Sequence, residues 1–293
     1  MSDLPISYPV EPQVLDIQHD TDPAHDHGDA RRIPHLGHAV LLFCLVAACV
    51  ALCLLAVFEA AHLHTTNAML AHPGLALAAQ GAGYLLALAI AAWFFPLLWQ
   101  RPFLDGISWN ALAVVRRRGW ILPGGVALCV VAQAGQYFLT KPKNAPIDDL
   151  LQNAHVIWIT AVLAVVLGPL MEEIAFRGFL LPALATAYDW LTFPRTPAGI
   201  QRWRSTTAHT TPALVVATIL SSIPFALMHA AQIGDAWGVV SILYFVSLVL
   251  SYVRIRTHSV ACSTLMHAIY NFTIFALLFF STDAFRHLDK ISR

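Results

Sequence analysis

The chain is short of charge. Asp, Glu, Lys and Arg make up 12% of its 293 residues, against roughly 25% in a soluble globular domain. The 17 basic and 17 acidic residues cancel, and no basic block exceeds Arg116-Arg117-Arg118, so nothing points to a nucleic-acid partner. The five cysteines, Cys44, Cys49, Cys53, Cys129 and Cys262, form no CxxC pair and fall inside apolar blocks. That pattern argues against a zinc ribbon or a disulfide framework and reads as core packing. No basic-then-apolar leader opens the chain. Its first 35 residues are polar and rich in Pro, Asp and His, and "QHDTDPAHDHGDA" reads as a disordered tail before it reads as a loose metal site. No internal repeat is evident.

What the chain has in quantity is apolar sequence, 58% of its residues. Blocks long enough to span a bilayer fall at 39–59, 75–99, 120–140, 154–171, 212–233, 237–253 and 259–281, with 174–191 as an eighth. The expected fold is therefore all-α, a polytopic membrane helix bundle of about eight transmembrane helices. It divides into a polar tail (1–37), N-terminal membrane helices (38–149), a core (150–281) and a short C-terminal tail (282–293). Gly168-Pro169 predicts a break or kink within the core. Arg31, Arg32, Arg101 and Arg116 to Arg118 argue for a cytoplasmic N-terminus and second loop, whereas loop 60–74 has no Lys or Arg. Eight spans put loop 192–211 outside; a single bent span over 154–190 puts it inside. Small residues such as Gly81 and Gly83 suit close helix packing within or between chains.

One stretch violates the apolar pattern. "GPLMEEIAFRGFLLPAL" (168–184) carries Glu172, Glu173 and Arg177, and an ionised side chain at mid-bilayer costs about 2.5–3.5 kcal/mol even on a lenient scale. Glu173 and Arg177 stand four apart, share a helix face and can pair. Glu172 lies about 100° around the helix and needs a different partner. Later blocks supply candidates: "PFALMHAA" places Phe225 and His229 at i, i+4, and "TLMHAIYNF" does the same for His267 and Asn271. Each feature alone has a plain structural reading, as a packed histidine, an ionic clamp or interhelical glue. Together, on three successive helical regions, they point to a shared polar centre.

The ordered set EExxxR, FxxxH and HxxxN resembles the CPBP or Abi family of CAAX-processing type II endopeptidases and bacteriocin-processing or immunity membrane proteins. The resemblance covers about residues 150–281. The insert "DWLTFPRTPAGIQRWRSTTAHTT" between the first two motifs departs from the family pattern. The resemblance implies an intramembrane endopeptidase acting on a membrane-delivered peptide, whether a lipidated tail, a leader peptide or a membrane-protein segment. By the same resemblance Glu172 and His229 would activate water, and His267 and Asn271 would steady the oxyanion. Glu173 with Arg177 would aim the motif helix.

The same side chains suit a metal variant, in which Glu172, His229 and His267 hold one divalent ion such as zinc. The expected cofactor is thus none or one metal. No HExxH or GxSG occurs, and "QIGDA" has Gln232 in place of the first glycine of GxGD. A non-catalytic immunity or scaffold protein of the same fold is the alternative, with a proton- or cation-coupled transporter behind it. The expected setting is a prokaryotic cell membrane, with lipid and a membrane-bound peptide or protein substrate as partners.

Overall fold

The computed structural model describes residues 32–139 and 145–288, so most of the expected polar tail lies outside the described residues. Within them every regular element is helical. The long helices are α1 (Leu36–Ala60), α2 (Pro73–Trp99), α3 (Ala111–Tyr137), α4 (Ile157–Thr192), α5 (Pro197–Ser205), α6 (Thr211–Leu227), α7 (Trp237–Thr257) and α8 (Val260–Ser281). Helix starts follow their local chemistry. Asn110 and Thr210 accept hydrogen bonds from Ala113 N and Ala213 N at 3.0 and 3.3 Å, capping α3 and α6. At the other end, α2 and α7 stop at Gln100 and His258, each left-handed with φ 53°.

Five of these helices, α1, α2, α4, α7 and α8, are long and apolar enough to cross a membrane. Helix α6 is apolar but shorter, and α3 carries Arg116 to Arg118 near its start and Gln133 and Gln136 near its end. Outward-facing Leu55, Trp93 and Leu97 are each more than 60% exposed, an apolar surface that suits lipid.

The structure departs from the expectation of separate spans at 154–171 and 174–191. The two runs form one unbroken helix, α4, 36 residues long. Its length, about 54 Å at 1.5 Å per residue, exceeds the ~30 Å hydrocarbon core. The break expected at Gly168-Pro169 takes the form of two π-helical stretches, Leu163–Leu167 and Ile174–Leu180, on either side of the glutamates. Gly168 donates to the Leu163 carbonyl in the five-residue register. A Cβ at Gly168 would sit 2.9 Å from that oxygen, so glycine is required there. The next donor in this register would be Pro169, which has no N–H, and the Ala164 carbonyl is left for another partner.

Contacts between loops show which of them share an end of the bundle. Arg32, just before α1, lies 3.6 Å from Asp189 near the end of α4 and stacks 3.9 Å over Trp203 of α5. Asn110 N donates to Ser259 Oγ at 3.2 Å, and that hydroxyl donates to Asn110 O at 2.9 Å. Val260 N donates to Ser108 O at 3.1 Å. With the His38 ring near the start of α1 5.7 Å from that of Trp99 at the end of α2, the start of α1, the α2–α3 connection, the α4–α6 insert and the α7–α8 turn are placed together. This follows from α4 being one helix, and it reverses the location that a count of eight spans assigns to loop 192–211.

Close packing holds the motif helix. Phe95, Trp99 and Phe103 surround Phe179 of α4, with Phe95 and Phe179 centroids 4.8 Å apart. The small residues expected to mediate packing do so within the chain. A Cβ on Gly83 would meet Val50 Cα at 2.6 Å, and one on Gly81 would meet Leu163 at 3.0 Å.

Candidate active site

Glu172 and Glu173 lie between the two π-helical stretches of α4, and Arg177 lies inside the second. Single π turns recur at functional sites because they re-aim side chains that an α-helix would stack. The Glu173 and Arg177 side chains are 0% and 1% exposed, and Arg177 Nη1 donates to Glu173 Oε1 at 2.9 Å. The other nitrogen, Nη2, donates to both the carbonyl and the hydroxyl of Ser247 on α7, at 2.9 and 2.8 Å. The guanidinium carbon sits 4.5 Å from the Phe225 ring centroid. Arg177 therefore binds α4, α6 and α7 into one unit. The i, i+4 spacing announced the carboxylate partner, but Ser247 lies 70 residues away and carries no motif.

His267 connects the two acids. Its Nδ1 is 3.1 Å from Glu173 Oε1 and its Nε2 is 3.9 Å from Glu172 Oε2. Because a carboxylate only accepts, the first contact puts a proton on Nδ1. In the neutral ring Nε2 then has a lone pair; a second proton makes it a donor. Glu173 Oε2 lacks a hydrogen-bond partner, since the nearby Ser263 hydroxyl lies 3.0 Å from the Val260 carbonyl and is given to it.

His229 closes the group from the turn just after α6. Its Nδ1 lies 2.9 Å from the Phe225 carbonyl, so the proton sits there and Nε2 faces Glu172 Oε1 at 3.9 Å. Glu172 and His229 are the accessible members, with side chains 16% and 20% exposed. Glu172 Oε2 is buried with no hydrogen-bond partner. Two imidazole nitrogens thus flank one carboxylate at distances too long for direct hydrogen bonds and short enough for a water to bridge.

Asn271 is placed differently from its expected neighbours. Its Nδ2 donates to the Ala164 carbonyl at 2.6 Å, the oxygen orphaned by Pro169. One amide proton is spent on backbone support and the second is available. Phe225 is 1% exposed and packs between the histidines, with ring centroids 5.3 Å from His229 and 5.9 Å from His267.

The fit to a metal is poor. Ligand atoms of a tetrahedral zinc stand ~3.4 Å apart, as ~2.1 Å bonds require, whereas each Glu172–imidazole separation is 3.9 Å. Among the described residues no group of three His, Cys, Asp or Glu side chains is arranged to hold a metal ion.

Comparison with known proteins gives one result on this same region. Residues 154–273 match the family described as "Type II CAAX prenyl endopeptidase Rce1-like", so this part of the chain is similar to that family. It includes all seven residues of the EExxxR, FxxxH and HxxxN set named above. No curated protein and no protein of known structure matches the chain.

Proposed function

We propose that this Rce1-like domain is an intramembrane endopeptidase that hydrolyses a peptide bond of a membrane-delivered substrate, with Glu172 and His229 activating the attacking water. The observation that carries this reading is the placement of Glu172: a half-shielded carboxylate 3.9 Å from two imidazole Nε2 atoms, each ring oriented through its other nitrogen. A water bridging Glu172 and His229 gives its proton to the carboxylate or the imidazole as its oxygen attacks the scissile carbonyl. The carbonyl oxygen becomes an oxyanion. Doubly protonated His267 would donate to it through Nε2, and Asn271 through its second amide proton. Collapse breaks the C–N bond, and the proton taken from water passes to the leaving amine. Glu173 and Arg177 hold the motif helix, and no step is routed through a metal.

The chain crosses the membrane seven times in this account, through α1, α2, α3, α4, α6, α7 and α8. Arg101, Arg116 to Arg118, Arg195, Arg202, Arg254 and Arg256 all belong to the end shared by the α1 start and the insert. By the bias of Lys and Arg towards the cytoplasm, that end is cytoplasmic. The N-terminus follows it.

The test is cleavage by the purified chain in liposomes, offered a prenylated CAAX-type peptide and an unmodified leader-type peptide. Wild-type protein is expected to release product from one of them and Glu172→Gln from neither. Equal cleavage by the variant would end the assignment of Glu172, and no cleavage of any membrane peptide would favour the scaffold reading.

A further inference from the structure

Glu172 has unlike surroundings on its two sides along α4. Towards the insert end, Glu173, Arg177 and Phe179 are at most 1% exposed. Phe95 of α2, Ile107 of the α2–α3 connection and Val260 of α8, all 0% exposed, share one packed core with Phe179. A Cβ on Gly178 would come 3.3 Å from Ile107 Cβ, so the connection presses on the motif helix itself. An interior packed this closely has no passage for a polypeptide. Towards the other end the side chains are only partly covered. Gly168 borders the acid, since a Cβ there would lie 3.8 Å from Glu172 Oε1, and the Glu172 charge acts on the Tyr84 hydroxyl of α2. Gln80, whose amide donates to that hydroxyl at 2.9 Å, Tyr84, Gly168 and Asn271 all keep accessible surface.

The turn that carries His229 belongs to this open side. Helix α6 starts beside the insert at Thr211 and ends at Leu227, so its connection to α7 lies at the end opposite the insert. His229 stands in that connection, and Gln232 and Asp235 just beyond it are exposed. With the insert side closed, the accessible surface of Glu172 and His229 is reached from the end at which α6 stops and α7 starts.

Charge gives that end its side of the membrane. Arg32 and Arg204 add to the arginines that make the insert end cytoplasmic. At the opposite end loop 60–74 has no Lys or Arg, and Arg286 is the single one there among the described residues. We infer that the candidate active site opens to the extracytoplasmic face, and that its substrate is the extracytoplasmic part of a membrane-delivered polypeptide, a leader or a membrane-protein segment, rather than a lipidated tail presented from the cytoplasm. The choice of substrate rests on the proteolytic reading above; the direction of opening does not. A scissile carbonyl has to be free of helical hydrogen bonding to meet the attacking water, and at the open end a segment leaving the bilayer finds water for its backbone groups.

The experiment labels the full chain in spheroplasts with a membrane-impermeant maleimide, before and after permeabilisation. The native cysteines all lie in apolar helices, where thiols ionise poorly and label slowly, so the wild type supplies the background. Gln232→Cys, in the turn of His229, and Gln80→Cys, beside the site, are expected to label severalfold above that background in intact spheroplasts. Thr207→Cys, exposed in the insert, is expected to label only after permeabilisation. The reverse pattern at Gln232 and Thr207 would overturn the orientation, and a Gln80→Cys chain that does not label from outside would overturn the opening. The substrate class is read by adding the unmodified leader-type peptide to intact spheroplasts. Wild type is expected to cleave it and Glu172→Gln to leave it whole, whereas cleavage only after permeabilisation would refute the extracytoplasmic substrate. If no peptide is cleaved on either side, the proposed function fails while the labelling still decides which way the site opens.

Discussion

Asn271 donates to the carbonyl of Ala164 across 2.6 Å, joining α8 to the π-helical stretch of α4 that Pro169 deprives of a donor. A side chain expected to serve only the reaction thus also supports the backbone that presents Glu172. Removing it leaves a carbonyl orphaned inside the bundle, a cost of about 1–3 kcal/mol, besides the ~10²-fold or greater loss in kcat typical of a missing oxyanion donor. Asn271→Ala is therefore expected to lower both the unfolding temperature and kcat. Asn271→Asp, whose ionised carboxylate cannot donate to the carbonyl, should lower them at least as much. Thermal unfolding in detergent beside a cleavage assay checks both; an unchanged unfolding temperature in either variant would contradict the support role.

Arg177 has a separate signature. Three hydrogen bonds leave two of its nitrogens, to Glu173 and to both oxygens of Ser247. Arg177→Ala strands the fully buried Glu173 carboxylate, and breaking a buried pair costs about 3–5 kcal/mol. Lysine restores the charge but not the fork that reaches two helices at once. Arg177→Lys is expected to recover part of the stability and little of the activity. Full recovery of both would show that charge alone matters.

The geometry around Glu172 makes a prediction about metals. With each imidazole nitrogen 3.9 Å from the carboxylate, no tetrahedral ion fits without movement of the histidines. Dialysis against a strong chelator is expected to leave cleavage intact, with less than one equivalent of zinc per chain by elemental analysis. Loss of activity that returns on adding zinc would show that the histidines close around an ion.

The insert carries a pH dependence of its own. His209 Nδ1 is 3.1 Å from Asp189 Oδ2, and the Thr210 hydroxyl donates to Asp189 Oδ1 at 2.6 Å. Burial is the larger influence on His209 and lowers its pKa below the ordinary value; Asp189 opposes this, and the Arg32 and Arg254 charges reinforce it. A histidine whose folded pKa is depressed binds a proton more readily when unfolded. Its contribution is therefore complete above the unfolded value of about 6.5 and is lost as pH falls from there towards the folded value. Wild-type unfolding temperature should drop between pH 7.5 and 5.5 more than that of His209→Gln. Parallel curves would remove His209 from the account.

Part of this site was legible in the sequence because helical spacing does not depend on the rest of the fold. Glu173–Arg177, Phe225–His229 and His267–Asn271 are all i, i+4 pairs, and charges inside an apolar run stand out wherever they occur. The convergence of Glu172 with two histidines followed from the need to partner the acid that Arg177 could not reach. Ser247 was not legible: a serine in an apolar helix has no distinguishing mark until Arg177 is seen to reach it from 70 residues away. Nor was the continuity of α4. Glycine followed by proline signals interruption, and periodicity cannot show that the interruption is absorbed by widening the helix to a π turn. That one substitution of a bend for a break changes the number of spans and moves the insert to the opposite end.

The central claim is that Glu172 makes this domain a protease within the membrane, and one comparison tests it without choosing a substrate in advance. Membrane peptides from otherwise identical cells carrying the wild type or Glu172→Gln would be sequenced for their termini, with the two proteins matched in abundance. The account predicts a small set of uncleaved precursors in the variant, sharing one cleavage position relative to the membrane or to a lipidated end. Identical sets of termini in both cells would contradict it.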